Sequence, residues 1–593
     1  MRISPLYKAV ALALGIAASA NAAASLAIGK TAPDSITEDL TISGAYDMGI
    51  YASSGKQFNF SGKNLSIDIT EGPGWGSGNV GIRAGYVNSS SATQSTINLG
   101  NKGKTESISV KVTDNSGVDD VAVGIWAEGK VANDIKGGVI NINTKSLVVD
   151  VTSKAWAYGL YSQNKTTTST SDLSTININA DDIYINATTT GSSEKGYSAN
   201  AIVAQSQGVM NINGNLEAHA TSAAISTRGD STIKINEDGL HSTKLYGNID
   251  FNYDKRTSGT VADAAVIVNF SGSDSIWVGN SSVSYGTGKP SDQSYLDVFN
   301  LRIKLQNGAV WEPTVIDEIE NNDTEGLENI PLNNLVLNDA TINIKNSEQT
   351  VKVQNLEGSG GTLNIAAKTE DGKTLTTGHF EVSQLKEGAN PNLNIALVGV
   401  NADNITDAQK AVESAAGAVT GEASASINKK IEIAEGAVNG AITADVTGDE
   451  VGTVSQTENT KLSALNSVTA MGTMAWRHDM NDLTKRMGEL RTSPEGIGSW
   501  VRLYGSEQEY GRQDVTTKST SVQVGSDYDV GYGWKVGGAF TYTDGSSDYA
   551  NGSSDNKAYG LAVYGSWLHE GGAFVDVIAK YSRLKSDFDM SVM

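Results

Sequence analysis

From about Gly49 to Asp230, apolar and polar positions alternate with a period of two in short runs broken by Gly, Ser, Asn, Asp and Thr. One phrase returns in altered form: "GIYASSG" at Gly49, "GIRAGY" at Gly81, "GIWAEG" at Gly124, "GLYSQN" at Gly159, "AIVAQS" at Ala201 and "AISTRG" at Ala224. A second phrase alternates with it: "STINLG" at Ser95, "GVININ" at Gly138, "STININ" at Ser174, "GVMNIN" at Gly208 and "STIKIN" at Ser231. The first phrase steps by 32, 43, 35, 42 and 23 residues, the range that marks stacked repeats. Each phrase predicts a short strand, with Ile176 and Ile178 pointing inward and Asn177 and Asn179 outward. No phrase can bury its own apolar face, whereas stacked rungs bury them in one continuous core. The pattern therefore predicts a solenoid of parallel strands, a right-handed β-helix. A β-sandwich is the alternative, but sandwich strands do not usually recur as one phrase.

Strand texture continues to about residue 400, in "AAVIVNF", "LDVFNLRIKL", "LNNLVLNDATINI" and "LEGSGGTLNI". It then changes. "ITDAQKAVESAAGAV" is rich in helix formers, and residues 402–459 read as a linker with some helix and a small hairpin. Residues 460–491 lack proline and carry Lys485, Arg486 and Arg491 towards the C-terminal end, where cations suit the helix dipole. The segment predicts one helix. Arg477, His478, Asp479, Asp482, Lys485 and Arg486 keep it out of lipid. It would sit inside a barrel lumen or on a soluble surface.

Beyond Gly498 come five alternating segments of about ten residues, the signature of outer-membrane strands. Trp534, Val536, Phe540 and Tyr542 share one face, opposite Lys535, Thr541 and Thr543. Val522 and Val524 oppose Gln523 and Asp527. Tyr559, Leu561, Val563 and Trp567 oppose Gly560, Ala562 and Ser566. Val575, Val577, Ala579 and Tyr581 oppose Asp576, Lys580 and Ser582. Within strands two to five, Arg583 is the one charge expected on the apolar face. Trp534, Tyr542, Tyr559, Trp567 and Tyr581 are expected at strand ends, as interfacial girdles. A soluble sheet with one buried face would show the same alternation.

The N-terminus decides for export. "MRISPLYKAVALALGIAASANAAA" has a basic start, a short apolar run and an A-x-A pattern, so residues 1–22 read as a signal peptide cut between Ala22 and Ala23. No later stretch reads as a membrane helix, so insertion would be by strands. The formal net charge of −23, with 44 Lys and Arg against 67 Asp and Glu, argues against a nucleic-acid partner. The chain has no cysteine, which excludes disulfides and thiolate chemistry and suits a chain threaded unfolded through a pore.

The run "MAWRHDMNDLTKRMGELR…GSWVRLYGSEQEYG…VQVGSDYDVGYGWKVGGAFTYTDG…AYGLAVYGSW…GAFVDVIAKYSR" resembles the C-terminal region of autotransporter proteins of Gram-negative bacteria. The resemblance covers residues 460 to the end, and "LRIKLQNGAVW" and "NLEGSGGTLNI" resemble the passenger end that assists folding in that family. It implies a β-helical passenger over residues 23–401, with a folding-assisting end from about 300 that includes Leu356, Gly358, Gly360 and Gly361. It implies a linker at 402–459 and a pore helix at 460–491, carrying Trp476, Arg477, Lys485 and Arg486. An incomplete antiparallel barrel of about five strands at 497–593 would follow. The implied partners are outer-membrane lipid, the barrel assembly machinery and periplasmic chaperones. Five strands cannot close a barrel without leaving backbone groups unpaired in lipid, and the family usually ends in an aromatic residue where this sequence ends in Met593. The expectation is a truncated sequence, and a non-functional fragment is one reading of it. Where some relatives carry two asparagines for self-cleavage, this sequence has Asn481 and Asp482.

Candidate chemistry is sparse. His219, His241, His379, His478 and His569 show no metal-ligand spacing. G-D-S-G is absent, and "SGSDSIW" holds similar letters in another order. Asp119–Asp120 and Asp181–Asp182 occupy no shared repeat position and read as solvated turns. Arg228, Gly229 and Asp230 form an RGD tripeptide that could present both charges to a receptor. The expectation is no enzyme, with no catalytic, cofactor or metal residues. The chain would be an exported adhesin-like module that binds a host surface or another copy of itself. The alternative is an exported β-helix enzyme acting on glycans.

Overall fold

The structure is a computed structural model of the chain. It describes residues 26–28, 34–70, 79–85, 93–115, 121–129, 136–164, 172–191, 197–253, 264–285, 299–315, 326–480, 483–511, 514–549 and 552–590. Ala22, Ala23, Asn481 and Asp482 lie outside the described residues. The chain divides into two compact units. One takes residues up to 400 with 405–432 and 443–454; the other takes 401–404, 433–442 and 455–593.

In the first unit each turn of the chain lays strands into three parallel sheets. In the first sheet, Val121–Gly129 pairs with Val80–Gly85 on one side and Trp156–Asn164 on the other. The long strand Val139–Ser153 supplies the next two sheets. Its first half pairs with Thr96–Leu99, its second half with Ser107–Asp114, and both halves with Thr175–Thr189. This is the expected solenoid. The two sequence phrases are two of its three walls: the glycine phrase forms the first sheet and the asparagine phrase the second. The third wall, as in Ser107–Asp114, repeats no phrase, although its period-two alternation is clear.

The inward positions stack in columns. Ile97, Ile140, Ile176, Met210 and Ile233 follow one another in register, all with no exposed surface. The glycine phrase has a steric cause. A Cβ on Gly124 would lie 2.3 Å from Val149 Cγ1 and 2.6 Å from the carbonyl oxygen of Gly159. Gly81 stands in the same relation to Val110 and to Gly124 itself. The first sheet is pressed against the third at this column, so a side chain has no room.

Further along, Trp277 and Trp311 stack at 4.9 Å between ring centroids, both fully buried. Their indole N–H groups donate to the carbonyls of Gly247 (3.1 Å) and Gly279 (2.9 Å), so the buried donors are satisfied. Parallel pairing runs on past residue 400, with Asn428–Ile433 continuing the third sheet against Asn392–Val398. A helix, α1 (Ala408–Ala416), stands before it, capped by Asp407, which accepts from the Lys410 N–H at 3.3 Å.

In the second unit, two helices stand where the pattern predicts one. They are α2 (Thr460–Met480) and α3 (Thr484–Arg491). Five antiparallel strands follow, each paired with its chain neighbour: β1 (Ile497–Tyr510), β2 (Val515–Gly531), β3 (Trp534–Tyr549), β4 (Gly552–Leu568) and β5 (Phe574–Met590). They are 14 to 17 residues long, well beyond the ten expected from alternation alone. The difference arises because pairing continues past the apolar residues into polar ones. Among the described residues no helix is long and apolar enough to cross a membrane, which says nothing of strands.

Candidate functional site

The two faces of the C-terminal sheet separate as the alternation predicts. Val501, Leu503, Val522, Val524, Phe540, Leu561, Val563, Val577 and Tyr581 are exposed on one face. Thr517, Ser521, Gln523, Thr541, Ala562 and Ser566 are buried on the other. Trp534 pairs with Trp567 at one border of the apolar band, and Tyr542 pairs with Tyr559 at the other, their rings 5.3 Å apart. The borders are eight residues apart on β3, about 27 Å along a strand at roughly 3.4 Å per residue. With the strand tilt of about 35–45° this becomes roughly 19–22 Å of depth, somewhat less than the apolar band about 25 Å tall of outer-membrane barrels.

Trp534, Trp567, Tyr542 and Tyr559 therefore mark the edges of the band; Tyr542, Tyr559 and Tyr581 are not at strand ends, and Tyr581, paired with Leu561, lies inside the band. Past the tyrosine border the same outward face carries Lys518, Asp544, Lys557, Lys585 and Asp587, of which Asp544, Lys557 and Lys585 are in register across β3 to β5. Arg583, opposite Tyr559, is thus the first of several charges on that face. All lie beyond one border, so none interrupts the band.

The buried polar face is covered by the helices. Met471 and Met474 of α2 cluster with Val515 and Tyr549, and His478 is held between the hydroxyls of Ser521 (2.8 Å) and Ser506 (2.7 Å). Leu483, with Met487 and Leu490 of α3, packs on Ala539, Ala562 and Tyr564. The helix pair follows the strands from the charged end towards the Glu570–Gly572 turn. Four ion pairs fasten it, one of them between Glu489 and Arg502 of β1 at 3.1 Å. Asp479 meets Lys580 at 2.7 Å, Arg486 meets Asp527, and Arg491 meets Asp576 at 2.5 Å. Asp527 also accepts from Tyr564 and from Trp500 Nε1 at 3.3 Å. A small and polar strand face accommodates two helices because it leaves depth for their side chains and offers them partners.

Of the residues singled out on the helix, Arg486 is in this network, while Arg477 and Lys485 line an open cleft with Glu489 and Arg502. Trp476 is 55% exposed. Sequence reasoning missed Asp479, Lys580, Asp527 and Asp576 as partners. The signal available was a charge recurring on the small-residue face of a strand otherwise alternating with apolar residues.

The solenoid holds further polar arrangements. Arg228 ends a first-sheet strand opposite Gln205, Gly229 turns the chain at φ +64°, and Asp230 accepts from Gln207 Nε2 at 2.9 Å. The tripeptide is half-buried with its carboxylate already engaged. On the outer side of the same sheet, Arg83 pairs with Glu128, both buried, and lies 4.2 Å over the Trp126 ring, which stacks on Tyr161 at 5.3 Å. Burial drives the Tyr161 hydroxyl well above its usual pKa, and the charge of Glu128 adds to this.

Asp250 is buried beneath the hydroxyls of Ser284 (2.6 Å) and Ser282 (2.8 Å). Burial raises its pKa to about 6 despite those two donors. On the third sheet His219 stacks on Tyr246 at 4.4 Å and meets Glu217 at 2.9 Å. On the second sheet, Asn59, Asn98, Asn141, Asn177 and Asn211 form a chain of amides, each donating to the one before it at 2.8 Å. Asp181 of the acidic pairs meets Lys102 at 3.1 Å; Asp119 and Asp120 lie outside the described residues.

Comparison with known proteins agrees with the strand geometry. Residues 499–593 match the model of the autotransporter beta-domain. Serine protease EatA of Escherichia coli O78:H11 is 36% identical over 106 residues, 17% of this chain and 8% of that protein. The pertactin autotransporter of Bordetella bronchiseptica is 29% identical over 124 residues, 20% of this chain and 13% of that protein. The serine protease pet autotransporter of Escherichia coli O44:H18 is 31% identical over 125 residues, 21% and 10% respectively. The matched stretch is thus a small part of each relative. Residues 499–593 of this chain thus carry an autotransporter beta-domain. That domain marks an outer-membrane protein whose passenger is at the cell surface or secreted.

The same comparisons correct one expectation. The chain reads from its sequence as no enzyme, yet several matched relatives bear serine-protease names. The matched stretch is the C-terminal region, shared by passengers of different kinds, so it gives no ground for a non-enzymatic class.

Proposed function

We propose that this chain exports its own solenoid across the outer membrane and displays it as an adhesin-like module for binding or self-association. Export follows from a sheet with a lipid-sized apolar band whose opposite face holds a helix pair. In this reading the helices, with Trp476, Arg477, Lys485 and Arg486, occupy the pore that the passenger crossed. The partners are outer-membrane lipid, the barrel assembly machinery and periplasmic chaperones, then a host surface or a second copy of the chain.

The observation that supports a binding role is the asparagine ladder. It offers the same pair of polar groups rung after rung, which suits an extended ligand or another repeating surface. The test is an epitope tag placed after Ala23, with protease added to intact cells. Loss of the tag with the outer membrane intact is the expected outcome. A tag protected in the periplasm would overturn the reading.

The serine-protease names of relatives support a second reading, an exported enzyme, here a hydrolase or a glycan-cleaving β-helix. Release of products from protein or oligosaccharide substrates by the purified full chain would favour it over a pure binding role.

A further inference from the structure

We infer that the second sheet of the solenoid carries a binding groove for a linear, uncharged oligosaccharide. The inference rests on the display reading above and names the ligand class of that surface. A groove of about 580 Å³ runs beside the amide chain, within the size range of small-molecule sites. The ladder residues Asn98, Asn141, Asn177 and Asn211 form one wall. Asn143, Asn179 and Asn213, in register one rung apart, form a second line along it.

The chemistry of the amides points to sugar hydroxyls. A side-chain amide has two N–H donors and two carbonyl lone pairs. Along the ladder each inner residue uses one N–H and one lone pair on its neighbours. One donor and one acceptor remain on every rung, fixed in direction because the ladder holds each amide plane. A hydroxyl is itself a donor and an acceptor, so a polyol can satisfy both at once. Rungs of a parallel sheet are about 4.8 Å apart, close to the length one pyranose unit occupies in an extended chain. From Asn98 to Asn211 the groove offers four such positions.

The charges select for neutrality. Lys234 and Glu237 at one end are paired at 3.1 Å, and Lys102 is paired with Asp181 at 3.1 Å. These pairs cancel, and Asp238, which also lines that end, leaves one carboxylate in excess, so a polyanion gains nothing there.

The experiment uses the purified full chain in detergent micelles, probed against linear oligosaccharides of two to eight units, neutral and acidic. Binding to neutral chains that strengthens up to about four units, one per rung, is expected. Asn177→Ala breaks the ladder and should weaken binding at least about tenfold, the loss of one or two hydrogen bonds. Asn213→Leu lines the groove without belonging to the ladder, so it should weaken binding with no change in melting temperature.

Each other result counts against the inference. Unchanged binding in both variants would place the site elsewhere. Preference for acidic chains would remove the argument from charge. Absence of oligosaccharide binding, while cells displaying the chain still adhere or aggregate, would sink the groove but leave the display reading. Absence of surface display would remove that reading itself.

Discussion

Lys580 of β5 donates both to the Asp479 carboxylate, at 2.7 Å, and to the main-chain carbonyl of the same residue, at 2.9 Å. The side chains are 9% and 8% exposed, and the residues are 101 positions apart in the chain. A strand and a helix are thus joined by a buried ion pair whose remaining proton positions are partly satisfied. Such a pair is costly to break because one charge is then left buried alone. We predict that Asp479→Ala lowers the stability of the helix-filled sheet by about 3–5 kcal/mol. Asp479→Ala with Lys580→Met should recover most of it. Denaturant unfolding in micelles, followed by tryptophan fluorescence, measures both. Equal losses in the single and double variants would count against a paired role.

The outward face gives a depth-dependent prediction. Val563 lies midway between the Trp534–Trp567 and Tyr542–Tyr559 borders, opposite Gly538. Val563→Arg should cost about 2–4 kcal/mol, and Tyr559→Arg, at the border beside Arg583, about 0–1 kcal/mol. The readout is the fraction of chain that resists urea extraction from outer membranes. Equal effects at the two positions would mean that the band does not face lipid.

Asp250 gives a pH prediction for the solenoid. Its folded pKa of about 6 lies above the unfolded value of 3.8. The folded state therefore binds more protons between these values. Stability is greatest below about pH 4, falls as pH rises towards 6, and is level above that, a change of about 3 kcal/mol. Asp250→Asn should remove this dependence and raise stability at pH 7.5. Melting curves at pH 4.5 and 7.5 compare the two chains. A wild-type solenoid that gains stability over that interval by way of this residue would contradict the assignment.

The glycine column gives a steric prediction. Gly124→Ala must push Val149 or the Gly159 carbonyl aside, and overpacking of this kind costs about 1–3 kcal/mol. Gly103→Ala meets only Asn101 Oδ1 at 3.6 Å and should stay within about 0.5 kcal/mol of the parent. Thermal unfolding of the two variants would separate them. Similar melting temperatures would mean the first and third sheets are less closely pressed than the distances indicate.

Much of the fold was legible because it depends on short-range alternation. Ile176 and Ile178 inside, Asn177 and Asn179 outside, follow from the period of a strand alone. The same rule separated Val522 and Val524 from Gln523. Strand ends were less legible, since Lys518 and Asp544 extend the pairing of β2 and β3 on hydrogen bonds without any apolar signal. The break between α2 and α3 was also hidden. The charges that discourage lipid contact are equally compatible with one helix or two.

By itself, then, the sequence determined which faces of the strands are apolar, that a stacked repeat precedes a sheet of outer-membrane type, and which glycine and asparagine phrases recur. These are local properties, set by side-chain volume and by polarity at fixed short spacing. Only the tertiary structure decided that the two phrases are two walls of three, since the third wall repeats an alternation without repeating residues. It alone decided that Gly124 meets Val149, that five asparagines bond in one line, and that Arg486, Arg491 and Asp479 find partners on two strands, β2 and β5. Those contacts join residues tens of positions apart. Which distant side chains meet depends on how the rungs stack and how the sheet twists, and that information is not carried by any short stretch of chain.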